Sequence, residues 1–255
     1  MNTALPGFLA NVYRNPNHRT KLVTEFWGAR NFYCPSCPAF GLVWVAENTE
    51  SHDFACTRCG QLFQLKGTTS PIGGIISGAG YNAMLRAIRD DRVPNLFVLH
   101  YDPTRWQVQN LLLIPRVALT ESSIQRRKRL SSTARRAGHI LYNILLKNIP
   151  SVVKVSLVRE GRTVSQDLVR AVFHRVEELS SLSVSVRGWM LDVLRVVQAL
   201  HKREFTNADV YAFASHLQKL HPENNNVRPQ IRKQLQNLER AGFLRHVKDG
   251  VWAVR

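Results

Sequence analysis

The sequence predicts an α/β domain, a mixed central sheet flanked by helices with a small cysteine-bearing insert, followed by a domain of three helices and a hairpin. Three observations predict it. Apolar runs of strand length, at 95–101 and 109–115, alternate with amphipathic helical stretches before residue 180. Four cysteines fall in two Cys-x-x-Cys pairs, Cys34 with Cys37 and Cys56 with Cys59. After a Ser-rich stretch at 180–187 the pattern becomes helix, helix, helix, hairpin. The boundary is set at 182/183, giving domains 1–182 and 183–255, with the cysteine insert at about 32–60.

In order along the chain, residues 6–30 read as one or two helices, with Leu22, Val23, Phe26 and Trp27 at helical spacing. A strand at 42–46 lies between the cysteine pairs, and 53–56 and 61–66 follow as strands. In the latter, alternation puts Gln64 and Lys66 on one side and Phe63 and Leu65 on the other. A helix is expected at 79–91 with Met84, Leu85 and Ile88 on its apolar face. A strand at 152–158 and a helix at 165–179, facing inward with Leu168, Val172 and Val176, complete the first domain.

In the second domain Met190, Val193, Leu194 and Val197 mark the first helix. Thr206 and Asp209 form a capping-box start for the second, with Phe205 and Val210 as its staple. Val227, Ile231, Leu235 and Leu238 stripe the third, where Pro229 is tolerable in the first turn. Asp249-Gly250 suits the turn of a terminal hairpin. This is a winged-helix order, and its third helix is the one that enters a major groove in such domains. Its outward face is expected to carry Arg228, Gln230, Arg232, Lys233, Gln234 and Gln236. Gln matches adenine, Arg matches guanine and Lys suits phosphates. A solvated face in a protein-interaction domain is the alternative.

The cysteine pairs stand eighteen residues apart and use every cysteine in the chain. That spacing points to one tetrahedral, structural Zn²⁺ held by Cys34, Cys37, Cys56 and Cys59, with no open position for substrate. Disulfides and free core thiols are the alternatives.

Lys and Arg number 35 against 18 Asp and Glu, a net charge of +17. In segments that also carry core residues, this balance points to nucleic acid as the partner, with counterion release supplying much of the affinity. No apolar run is long enough to span a membrane and the N-terminus lacks a secretory pattern. A soluble, intracellular chain is therefore expected.

Asp53 precedes the second cysteine pair, and Gln64-Leu65-Lys66 follows it. A common arrangement in divalent-metal nucleases puts a carboxylate on one strand and Glu-x-Lys on the next, around a cation that polarises the phosphoryl group and generates hydroxide. Asp53, Gln64 and Lys66 match that arrangement if the Cys56–Cys59 knuckle forms the turn between the strands. On pattern alone the match is weak.

The chain resembles the DpnI-like family of methyl-adenine-dependent restriction endonucleases. The likeness is carried in order by CPSC (34–37), DFACTRCGQLFQLK (53–66), GAGYNAMLRAI (78–88), SSTARRAGHILYNI (131–144), SSLSVSVRGWMLDVL (180–194) and IRKQLQNLERAGFL (231–244). The resemblance implies a PD-(D/E)XK nuclease domain with a zinc ribbon, then a winged helix, both contacting adenine-methylated GATC duplex DNA in a prokaryotic cytoplasm. It implies Mg²⁺-dependent type II cleavage, with Mn²⁺ as a substitute, by a monomer. Asp53 and Gln64 would hold the Mg²⁺ and Lys66 would be the catalytic lysine. Gln64 stands where the family pattern has glutamate. The implied DNA-holding loop contains Arg135, Arg136 and His139, the last where tryptophan is expected. A methylated-DNA reader without catalysis is the alternative that Gln64 supports.

Overall fold

The computed structural model describes residues 1–12, 14–45, 52–131, 133 and 137–255. A 3-10 turn at Gly7–Asn11 precedes α1 (Pro16–Asn31). The Asn15 side chain caps α1, accepting from the N–H groups of Asn17 and His18, and Pro16 supplies a preset φ at the first helical position. The two-residue strands β1 (Val43–Trp44) and β2 (Phe54–Ala55) lead to β3 (Leu62–Thr68). Next come β4 (Ile75–Ala79), α2 (Tyr81–Arg89), β5 (Asn95–Asp102) and β6 (Gln107–Ile114). They are followed by β7 (Ile124–Arg129), β8 (Ile140–Leu145), β9 (Val155–Arg159), β10 (Arg162–Thr163) and α3 (Gln166–Glu177). The C-terminal part comprises α4 (Val184–Ala199), β11 (Glu204–Thr206), α5 (Asn207–Tyr211), α6 (Ala214–Leu220), α7 (Val227–Arg240), β12 (Leu244–Lys248) and β13 (Val251–Val254).

The central sheet runs β1-β2-β3-β5-β6-β9-β10. Only β3 and β5 are parallel, with Gln64 beside Leu96 and Lys66 beside Val98; the other neighbours are antiparallel. Side-chain alternation splits this sheet into two buried faces. Phe63, Leu65, Phe97, Leu99, Leu111 and Leu113 join Val23 and Trp27 of α1 and Val169 and Phe173 of α3 in one cluster. Phe97 stacks on Phe32 with ring centroids 4.2 Å apart. Leu96, Val98 and Ile114 belong to the other cluster. That cluster includes Tyr142 and Ile144 of a second sheet, ordered β4-β8-β7, and continues into α4, α7 and the wing.

The C-terminal part has the expected winged-helix order. Thr206 and Asp209 make the reciprocal capping box, and Phe205 and Val210 are buried beneath it. Ile231, Leu235 and Leu238 of α7 are fully buried. β12 and β13 form the wing, with β11 as a third strand on β13. Gly250 adopts φ +68° at its turn, where a Cβ would be strained.

Several expectations need correction. The second helix of this domain is broken into α5 and α6. The inward face of α3 is Val169, Phe173 and Val176; Leu168 is 56% exposed. The stretch 180–187 is not an open linker, since Ser183 caps α4 and Arg187 is buried. Gln234 does not belong to the outward face of α7. It is fully buried, and its Oε1 accepts from Asn237 Nδ2 at 3.0 Å.

Candidate active site and thiol cluster

The first cysteine pair lies at the C-terminal end of α1, where Phe32 closes the helix, and the second forms the turn between β2 and β3. Within that turn Gly60 N donates to Cys56 O, Cys56 N donates to Gln61 O, and Gly60 takes φ +74°. The thiol-bearing atoms of Cys34, Cys37, Cys56 and Cys59 all lie within 4.8 Å of one another. Cys34 Sγ is 3.5 Å from Cys59 Sγ, and Cys37 Sγ is 3.6 Å from Cys56 Sγ. A tetrahedron with metal–sulfur bonds of about 2.3 Å has edges of about 3.8 Å, so the cluster has the dimensions of a four-thiolate zinc site. None of the four is in a disulfide. Burial pushes the Cys34 thiol up. At Cys56 burial also acts upward, but the backbone N–H groups of Cys59 and Arg58 outweigh it and bring the thiol down to about 7.

This knuckle sets the register of the strands beside it. Phe54 pairs with Phe63, so Asp53 stands opposite Gln64 one step further on. Asp53 is held three ways: its N–H donates to Phe63 O at 2.9 Å, its carbonyl accepts from Val45 N at 3.0 Å, and its Oδ2 accepts from Leu65 N at 2.7 Å. Among the described residues Oδ1 takes no hydrogen bond. Paired strands end at Phe54, so from Gln64 onward that edge of β3 is open to a cleft.

Asp53 and Lys66 line this cleft together. One wall is α1, with Thr20, Thr24 and Glu25; the opposite wall is β4, with Ile75, Ile76 and Ser77. Gly67 allows α1 to sit this close, because a Cβ there would meet the Thr24 methyl at 2.9 Å. Among the described residues Lys66 has no ion pair. Gln64 stands opposite Asp53 and on the same face of β3 as Lys66, and it lines a second cleft with His52, Met84, Arg116 and Tyr142.

Glu25 went unnoticed in the sequence. Its side chain is 6% exposed, with Lys21 Nζ 3.8 Å away. The available signal was polarity inside a helical core face, since Thr24 and Glu25 lie between buried Val23 and Trp27.

A chain of polar contacts leads from the knuckle to the winged helix. Buried Asn95 donates to Gln61 Oε1 at 2.7 Å, and its Oδ1 accepts from Arg116 N at 2.9 Å. Gln61 Nε2 donates to Glu177 Oε1 at 3.1 Å. Arg116 pairs with Glu177 at 3.5 Å and with Asp91 at 3.0 Å, and Asp91 also pairs with Arg187 of α4. Burial alone would raise the Asp91 carboxyl, but its hydrogen bonds to Arg187 and Arg116 overcome that and hold it below the usual carboxylate range.

On α7, Arg228, Arg232, Lys233 and Gln236 are exposed and Gln230 is half-buried. Arg232 lies 3.9 Å from Asp249 in the wing turn. The Arg228 guanidinium lies 5.7 Å from the Tyr211 ring centroid. His139 is exposed at the entry to β8; Arg135 and Arg136 lie outside the described residues.

Residues 1–182 match the family model DpnI, described as the Dam-replacing family, and residues 185–253 match the Dam-replacing HTH domain. The chain belongs to the Dam-replacing family. It is thereby a DNA-binding protein of a restriction-type, nuclease-related family, with a helix-turn-helix domain at its C-terminus. Among the described residues no helix is long and apolar enough to cross a membrane.

Proposed function

We propose that this chain is a methyl-directed type II restriction endonuclease that hydrolyses adenine-methylated GATC duplex DNA with Mg²⁺ at a PD-(D/E)XK-type site. The observation that carries the reading is the meeting of Asp53 and Lys66 in one cleft along the open edge of β3, in a DNA-binding family. The donor set suits a hard cation: Asp53 has one oxygen taken by Leu65 N–H and the other available, and Glu25 lines the same cleft. When bound, Mg²⁺ would polarise the scissile phosphate and lower the pKa of the attacking water. Lys66 orients that water and offsets charge that develops on the phosphoryl oxygens. Glu25 supplies the second negative charge that neutral Gln64 does not. Cys34, Cys37, Cys56 and Cys59 hold a structural Zn²⁺ that keeps β2 and β3 in register. Arg228, Gln230, Arg232, Lys233 and Gln236 read the target duplex, with His139 near the methyl groups.

The second reading is a methylated-DNA reader without cleavage. It is favoured by Gln64, which is uncharged and lines the neighbouring cleft. Digesting adenine-methylated and unmethylated plasmid with Mg²⁺ or Mn²⁺ tests both. Double-strand cuts in methylated plasmid alone, lost in Lys66→Ala, are expected. Intact methylated plasmid in every metal, with retained binding, refutes the nuclease. If Gln64→Glu then gains cleavage, the chain is an eroded enzyme.

A further inference from the structure

The strand β7 absorbs none of the roles assigned above. After buried Ile124, all of Gln125, Arg126, Arg127, Lys128 and Arg129 are exposed. Among the described residues none of the four cations has an ion pair or a hydrogen-bonded side-chain partner, although the acids elsewhere are widely paired. β7 is the outer edge of the sheet β4-β8-β7. A bulge between Arg126 and Arg129 puts one extra residue into β7 against β8, so the cations fan out from the edge.

Position gives this charge a meaning. Ser77 lines the cleft that holds Asp53 and Lys66. Ser77 pairs with Asn143, and Asn143 pairs with Gln125 and donates to its Oε1 at 3.1 Å. This row crosses the sheet from the cleft to β7, a distance of about 10 Å at ordinary strand spacing. The five exposed residues span about 13 Å of strand, the axial length of about four base steps of duplex. Charge on an edge strand also blocks edge-to-edge pairing, a role for which lysine is the usual residue. Three arginines and a lysine side by side match phosphate oxygens, which arginine grips in a bidentate manner.

We propose that β7 is a clamp for the phosphodiester backbone of duplex DNA beside the cleft, contributing affinity without regard to base sequence or methylation. The clamp rests on the DNA-binding reading but not on cleavage. It assigns affinity to β7 and leaves discrimination to α7.

The test is equilibrium binding of the full-length, zinc-loaded chain to methylated and unmethylated duplexes, in Ca²⁺, over a range of KCl concentrations. The variant replaces Arg126, Arg127, Lys128 and Arg129 with glutamine. Each lost phosphate contact lowers the log–log salt slope by about 0.9. The expected result is a slope shallower by about 2 to 4, with affinity for both duplexes falling by the same factor and their ratio unchanged. If the fourfold variant misfolds, Arg127→Gln/Lys128→Gln, confined to the bulge, should show about half the change in slope. Wild-type slope and affinity in a folded variant, with only solubility altered, overturn the clamp and leave edge protection as the role of the charge. A change in the methylated-to-unmethylated ratio also overturns it, because β7 would then be reading bases. A wild-type chain that binds neither duplex removes the DNA reading itself.

Discussion

The cysteine knuckle and the winged helix hold their working side chains by opposite means. Around the knuckle, β1 and β2 have two residues each, and β1 is exposed. Phe32, Leu42 and Phe54 beside it are buried in the α1-side cluster, but the turn at 57–60 is exposed and is closed by the meeting of four thiols. In the winged helix, Ile231, Leu235 and Leu238 are fully buried in a cluster that runs on into the central sheet. Asp53 therefore depends on a few directed bonds, whereas the α7 face depends on bulk burial. The difference teaches that one chain can hold Asp53 by directed bonds and the α7 face by hydrophobic packing, and that the two should fail under different insults.

Removing metal should break that pairing most severely. A chelator should cost on the order of 10 kcal/mol at the knuckle and abolish cleavage, and Cys56→Ser, which leaves three thiolates, should act in the same direction to a smaller extent. Far-ultraviolet helicity and salt-sensitive DNA binding from the winged helix should survive. Simultaneous loss of both by circular dichroism and anisotropy would show that the two regions are not independently supported.

Lys66→Ala should separate the functions without unfolding either region. Cleavage of methylated plasmid should fall by about 10²–10³-fold, while duplex affinity in Ca²⁺ stays near wild type. Glu25→Gln should reduce cleavage less and weaken Mn²⁺ binding measured by calorimetry. Unchanged Mn²⁺ affinity would remove Glu25 from the metal site.

Leu235→Ala empties a fully buried position and should cost about 2–5 kcal/mol. The melt should remain a single calorimetric transition, because the same cluster includes Leu96 and Val98 of the central sheet. Two resolved transitions would mean that the winged helix melts alone.

Asp91→Asn should have the smallest effect, about 1–2 kcal/mol by urea titration, since it leaves the buried Arg187 without its ionic partner. The carboxyl is depressed in the folded state, so its contribution is fully present above the ordinary carboxylate pKa of about 3.9 and is lost as pH falls through the lower folded value. The wild-type advantage over Asp91→Asn should therefore be constant from pH 7 to about 5 and vanish under stronger acid.

What the residues disclosed depended on how local the governing physics was. The Thr206–Asp209 capping box and the α7 stripe are encoded within one or two turns of helix and were legible. So was the cysteine pairing, since four thiols of that spacing have few other uses. The sheet β4-β8-β7 was not. β4 carries Gly78, whose missing side chain makes room for the Tyr142 ring, and β7 carries charge where a strand pattern needs alternation. Ser183 suggested a linker but acts as a cap, accepting from Val186 N. The site was legible as far as Asp53 and Lys66, which flank one turn. Glu25 comes from α1, and only tertiary packing over Gly67 brings it to the same cleft. Gln234 was misplaced because a helix stripe read at positions 231, 235 and 238 leaves 234 ambiguous until a neighbour covers it.

The burial of α4 in a cluster shared with the N-terminal domain has a bearing on engineering. Trp189, Met190 and Val193 line a buried cluster shared with Leu96 and Ile144 as well as with their own helix bundle. A foreign recognition cassette spliced on at residue 183 would strip that lining and leave Ser122 without the Asp192 carboxylate it donates to at 2.8 Å. If α7 reads the duplex as proposed, retargeting this protein is a matter of repainting its solvent side in place, not of exchanging parts.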